Sequence, residues 1–192
     1  LAAQQGHKAI AEFLIAKEAD TDVKTDDGLT PFALAIQESR KDVVKLLFDL
    51  QKDGKIKKVF EERDKGDNTL LHLAAAKRDL ELLKELLPFC SDVNAQNLFG
   101  NTPLHIAAGN GDESIANELI ANKANVNAKN KAYETPLHKA AKENKAAMVG
   151  FLISKGAEVD AKNTNGFTPL HFAAQNGNVE IFTLLDKQDP SV

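Results

Sequence analysis

The chain has few of the residues that build disulfide frameworks or membrane spans. Cys90 is the sole cysteine among 192 residues, so an internal disulfide is excluded and a reducing compartment is favoured. No apolar run approaches the roughly 18 residues that a membrane span needs, and no signal peptide is visible. These absences predict a cytoplasmic protein without a membrane span.

Excess basic charge is also absent. The formal net charge is −4 and the sequence pI is about 5.8, whereas a nucleic-acid-binding surface needs a basic stripe. We therefore expect no nucleic-acid partner. Met148 is the only methionine, so we expect Leu1 not to be a natural start and expect flanking repeats or domains in a longer protein.

What the chain does contain is self-similarity. Four of its five histidines, His72, His105, His138 and His171, recur every 33 residues. Each closes a four-residue cassette that reads TLLH in the first case and TPLH in the other three. A fixed period of this length indicates stacked supersecondary units rather than one globular core.

The stretch from residue 97 to residue 130 shows what one unit predicts. Thr102 suits the N-cap of a helix, and Pro103 suits the first helical position, where a missing N–H costs nothing. Gly111 is placed to end this helix. A second helix with Ile115 and Leu119 on one face follows. Because helices of two or three turns are unstable alone, neighbouring units must bury their apolar faces.

The cassette and its flanks resemble the ankyrin-repeat family. Residues 166–174 read GFTPLHFAA and residues 156–161 read GAEVDA, and this pattern recurs over essentially the whole chain. The resemblance implies an all-α solenoid of antiparallel helix pairs with β-hairpin-like loops, a concave recognition face and no enzymatic activity. We divide this single array into six units: a partial unit at 1–24, then 25–63, 64–96, 97–129, 130–162 and 163–192.

The second unit departs from the pattern. Ala33 stands where the histidine belongs, and Thr30 and Thr69 are 39 residues apart, so six residues are inserted within residues 51–66. Apolar residues at 56, 59 and 60 predict a short amphipathic helix there. It either binds a partner or covers the edge of the second unit's core, and we favour the second interpretation.

The histidines could suggest a metal site, but the period argues against one. Equivalent residues of stacked helices lie about 8–10 Å apart, whereas zinc–nitrogen bonds are about 2 Å long. We therefore interpret the imidazoles as structural links between a helix start and neighbouring loop groups. No phosphate-binding or other catalytic motif stands at a suitable junction. We expect no catalytic residues, cofactor or metal.

Binding is expected where the repeat does not dictate the residue. The turns before the cassettes carry apolar residues where polar ones would serve, namely Leu29, Leu98, Phe99, Tyr133 and Phe167. Nearby polar candidates are Glu134, Lys139, Lys142 and Gln175. We predict one contiguous apolar stripe across the last three units, since interface cores are enriched in aromatic residues. The alternative is that these side chains only shield the adjacent loop.

Three functions are compatible with these residues. The leading hypothesis is a protein–protein interaction module that binds a protein partner without catalysis. The array could instead be the targeting portion of a larger effector, toxin or enzyme, and a secreted effector would act in the cytosol of a host cell. A passive structural spacer is the third possibility, and exposure of Phe99 and Tyr133 would argue against it.

Overall fold

The computed structural model describes residues 1–54 and 62–186, which form twelve α-helices and one 3-10 turn (Leu87–Phe89) but no β-strand. The amphipathic helix predicted around residues 56–60 lies outside the described residues. The helices are α1 (Ala2–Gln5), α2 (Lys8–Ala16), α3 (Pro31–Gln37), α4 (Lys41–Lys52), α5 (Leu70–Lys77), α6 (Leu80–Leu86), α7 (Pro103–Asn110), α8 (Glu113–Ala121), α9 (Pro136–Lys142), α10 (Ala146–Ser154), α11 (Pro169–Gln175) and α12 (Val179–Asp186).

Helix starts and ends follow the local sequence. The N-cap of α7 is Thr102, its first residue is Pro103, and Gly111 ends it with a φ of 73° in the left-handed region. Each of these three roles was predicted, and each is confirmed. The same threonine N-cap precedes α3, α5, α9 and α11. Because a cap uses only residues within one turn of the helix start, the cassette can specify it without help from other units.

Stacking of helix pairs forms the core. The first helices of successive units, α1, α3, α5, α7, α9 and α11, each contact the next, and each also packs on the second helix of its own unit. Leu104 and Ala107 of α7 and Leu119 of α8 are completely buried in one apolar cluster that runs from Ala3 to Leu185. The predicted all-α class and stacked-pair solenoid are confirmed.

The helices depend on this stacking for stability. The longest, α4, has 12 residues, and α3, α9 and α11 have 7 each, which is too short to persist alone in water. Stability therefore comes from burial between units. No helix in the described part of the chain is long and apolar enough to cross a membrane.

Candidate partner-binding surface

Five turns of one design precede the cassette helices. We call each of them a tip; they comprise residues 25–30, 64–69, 97–102, 130–135 and 163–168. The first side chain of each tip accepts a backbone N–H from further along the turn. Asn130 Oδ1, for example, accepts from Ala132 and Glu134 at 2.9 Å each. The fourth residue of every tip has a positive φ. Each tip is therefore shaped by its own six residues.

Backbone hydrogen bonds connect neighbouring tips. The second residue of each tip donates its N–H to the carbonyl of the third residue in the preceding tip, over 2.8 to 3.1 Å. In this way Lys65 bonds to Asp27, Leu98 to Gly66, Lys131 to Phe99 and Thr164 to Ala132. These four bonds hold the five tips side by side in one row.

The cassette histidines bind the row to the helices. His105 Nδ1 accepts the N–H of Thr102 at 3.1 Å, so Nε2 carries the proton and donates to the carbonyl of Glu134 in the next tip at 3.0 Å. His72 and His138 bond in the same way. With both ring nitrogens of these three residues engaged, the imidazoles act as structural links. Over residues 1–54 and 62–186, no group of three His, Cys, Asp or Glu side chains is placed to hold a metal ion.

These imidazoles are neutral at pH 7. Burial lowers the pKa of His105 to about 4, although its hydrogen bond to the Glu134 carbonyl opposes the shift. Burial also lowers the pKa of His72 and of His138 below the ordinary value. The ladder is thus an uncharged hydrogen-bonding element, not a set of proton carriers.

The outer edge of the row carries exposed apolar side chains, which we call the tip surface: Leu98, Phe99 and Tyr133. Their exposed fractions are 53%, 72% and 57%. Tyr133 has a φ of 59° at the position where Gly28, Gly100 and Gly166 stand in other tips. A tyrosine in this region is strained by about 1 kcal/mol relative to glycine. Folding alone therefore does not explain the choice of tyrosine.

Phe167 lies at a different position, the fifth of its tip. It is 43% exposed, and its ring stacks on His171 with centroids 5.5 Å apart and contacts Phe172 edge-on at 6.1 Å. Part of this side chain therefore stabilises its own unit. The aromatic residues of the last three tips occupy the third, fourth and fifth positions in turn, so they are staggered rather than equivalent.

Two of the predicted site residues are not exposed. Leu29 is 5% exposed and belongs to the apolar core, and Glu134 is 6% exposed. Both occupy the fifth position of a tip, which lies between a helix start and the neighbouring unit. The expectation that they lie on the surface was wrong, because it treated every residue of a turn as outward-facing.

Glu134 instead binds two of the predicted basic residues. Its Oε2 lies 3.2 Å from Lys139 Nζ and its Oε1 lies 3.5 Å from Lys142 Nζ. Burial raises the pKa of this carboxyl, but Lys139, Asn130 and Lys142 together outweigh burial and hold the pKa below its usual value. Lys142 remains exposed, Lys139 is half-buried, and Gln175 is exposed at the end of α11.

Sequence reasoning missed the lysine beside Phe99. Lys131 is exposed and donates its N–H to the Phe99 carbonyl at 3.1 Å. A Cβ atom at Gly100 would lie 2.5 Å from the Lys131 nitrogen and 3.0 Å from its Cγ, so Lys131 crosses directly over this glycine. Comparing the second position of successive tips would have found it, since that position follows the 33-residue period.

Comparison with known proteins identifies the architecture. The family model described as ankyrin repeats (3 copies) matches the chain over residues 1–59, 56–130 and 105–192. These matches overlap and extend from the first residue to the last. No curated protein matches the chain.

Proposed function

The chain belongs to the ankyrin-repeat family, and we propose that it is a non-catalytic module that binds a protein partner through its tips and first helices. Ankyrin repeats are in general protein–protein interaction modules, and the family is typically non-catalytic. The observation that carries the proposal is the exposure of Phe99 and Tyr133 at the outer edge of the row.

This exposure favours binding over a passive spacer. In a spacer, the aromatic side chains of the tips would serve to cover adjacent loops, and most of their area would be buried. More than half of the area of Phe99 and Tyr133 is open to solvent instead. Aromatic anchors of this kind usually dominate affinity at protein interfaces, and the strained backbone of Tyr133 is a cost that a binding role offsets.

The proposed contact area extends beyond the tip surface. Lys142 and Gln175 are exposed on α9 and α11, and Lys139 lies between them and the tips. Phe167 adds an aromatic edge in the last unit. Leu29 and Glu134 are buried, so we assign them no contact with the partner and regard Glu134 as the group that orients Lys139 and Lys142.

Replacing the two aromatic side chains tests the proposal. The double variant Phe99→Ser, Tyr133→Gly should lose about 2 kcal/mol of binding free energy, or about 30-fold in affinity, for proteins captured by the parent. It should not lose stability, since glycine relieves about 1 kcal/mol of strain at position 133. Affinity capture from a cell lysate with quantitative mass spectrometry measures the first effect, and urea denaturation measures the second.

A matched control uses exposed apolar residues far from the tips. Phe13 on α2 and Val179 on α12 are 61% and 76% exposed, so the variant Phe13→Ser, Val179→Ser removes similar apolar area. It should capture the same proteins as the parent. The proposal is overturned if the folded tip variant captures the same proteins in the same amounts.

A further inference from the structure

Positive charge surrounds the tip surface. In the fifth-unit tip, burial alternates along the chain: Asn130 and Glu134 are buried, whereas Lys129, Lys131 and Tyr133 are exposed. The residue before the next tip, Lys162, is also exposed. Across residues 95–101, 128–134 and 161–167, every exposed charged side chain is a lysine. This local charge is opposite in sign to the net charge of −4 on the whole chain.

These lysines are not neutralised within the protein. Elsewhere basic side chains have acidic partners: Arg63 lies 3.1 Å from Asp67, and Arg78 lies 3.2 Å from Asp112. Among the described residues, the salt bridges do not include Lys129, Lys131 or Lys162. Their charge is therefore directed at solvent or at a partner.

The charge adjoins the aromatic anchors. Lys131 is bonded through its backbone to Phe99 and crosses over Gly100, so its ammonium group extends from the same part of the row as the Phe99 ring. Tyr133 is two residues further along the same tip. Three neighbouring tips span about 20 Å, which an extended segment of about six residues can cover.

We propose that the tip surface and these three lysines bind an acidic protein segment that carries a large apolar side chain. The apolar side chain packs on Phe99 and Tyr133, and flanking carboxylates pair with Lys129, Lys131 and Lys162. This inference rests on the proposed function and adds the chemistry of the partner. Charge complementarity at the rim of an interface increases the association rate and excludes partners of the wrong sign.

A nucleic acid or an anionic membrane fits the observations less well. Both are extended polyanions, and binding to them relies on many simultaneous cation–anion contacts. Here the unpaired cations next to the anchors number three, and the chain as a whole is acidic. A short acidic segment matches a few cations around an aromatic anchor.

Selection from random peptides tests the inference. Peptides of about 12 residues, displayed on phage, are selected on the immobilised 192-residue chain. Enriched peptides should be acidic, contain a large apolar residue and fail to bind the Phe99→Ser, Tyr133→Gly variant. The variant Lys129→Gln, Lys131→Gln, Lys162→Gln should bind an enriched peptide about tenfold more weakly in fluorescence anisotropy.

The control removes the same charge elsewhere. Lys41, Lys45 and Lys155 are exposed on or next to the second helices, and their replacement by glutamine should change the affinity by less than about twofold. A weaker affinity in this control equal to that in the tip variant would overturn the inference, because net charge alone would then explain binding.

The remaining outcomes separate the two proposals. Enriched peptides that need Phe99 and Tyr133 but are neutral or basic would overturn the acidic partner and leave the proposed function standing. Enrichment that does not depend on these two residues would overturn both. A poly(U) RNA or a phosphatidylserine vesicle that binds through the three lysines, with no acidic peptide enriched, would replace the protein partner by a polyanion.

Discussion

The tip at residues 97–102 and the tip at residues 163–168 contain the same cassette, but another tip follows only the first of them. His105 is 1% exposed and bonds to the Glu134 carbonyl of the next tip. His171 keeps its bond to the Thr168 N–H at 3.1 Å, yet it is exposed and stacks on Phe167. The local cap is therefore a property of one unit, and burial is contributed by its neighbour.

The largest difference is expected between the two histidines. His105→Ala should cost about 4 kcal/mol of unfolding free energy, because it leaves a cavity and two buried backbone groups without a partner. His171→Ala should cost about 1 kcal/mol, because water can replace its single bond. Urea denaturation at pH 7 measures both values. Equal losses would show that the next unit adds nothing to the cassette.

The glycines at the fourth tip position extend the comparison. A Cβ atom at Gly100 would overlap Lys131 of the next tip, whereas one at Gly166 meets nothing within 4 Å. Both glycines have a positive φ, of 75° and 77°. Gly100→Ala should therefore cost about 3 kcal/mol and Gly166→Ala about 1 kcal/mol. Thermal unfolding compares them, and similar melting temperatures would contradict the proposed contact between tips.

The smallest of the three effects is a pH dependence. The pKa of His105 is about 4 in the folded chain and near its ordinary value of 6.5 in the unfolded chain, so the unfolded state binds the proton more readily. Stability present above pH 6.5 is then lost as the pH falls towards 4. From pH 7 to pH 5 the parent should lose about 2 kcal/mol more than the His105→Ala variant. Parallel pH profiles of the two would contradict the burial of a neutral imidazole.

Features that depend on neighbouring residues were predictable. The threonine N-cap, the proline at the first helical position and the glycine that ends α7 act within one turn of a helix, and all were derived from sequence. The repeat period predicted the stacking and the structural role of the histidines. The interpretation of the insertion around residues 56–60 remains a prediction, since it lies outside the described residues.

Exposure at the tips was less predictable. Phe99 and Tyr133 are exposed as expected, whereas Leu29 and Glu134 are buried. The difference is one of position: the fifth residue of a tip lies between units, and the second to fourth lie at the outer edge. Sequence alone shows that all of them are turn residues, and it does not show which turn positions the next unit covers.

The chain by itself thus determined the period, the helix starts and the tip shape, because hydrogen bonds between residues at most five apart create them. Only the tertiary structure decided which tip side chains reach solvent, because the adjacent unit, 33 residues away, covers some positions and leaves others open. The same packing brings Lys131 beside Phe99 and buries Glu134 between Lys139 and Lys142. The candidate binding surface is therefore a product of stacking.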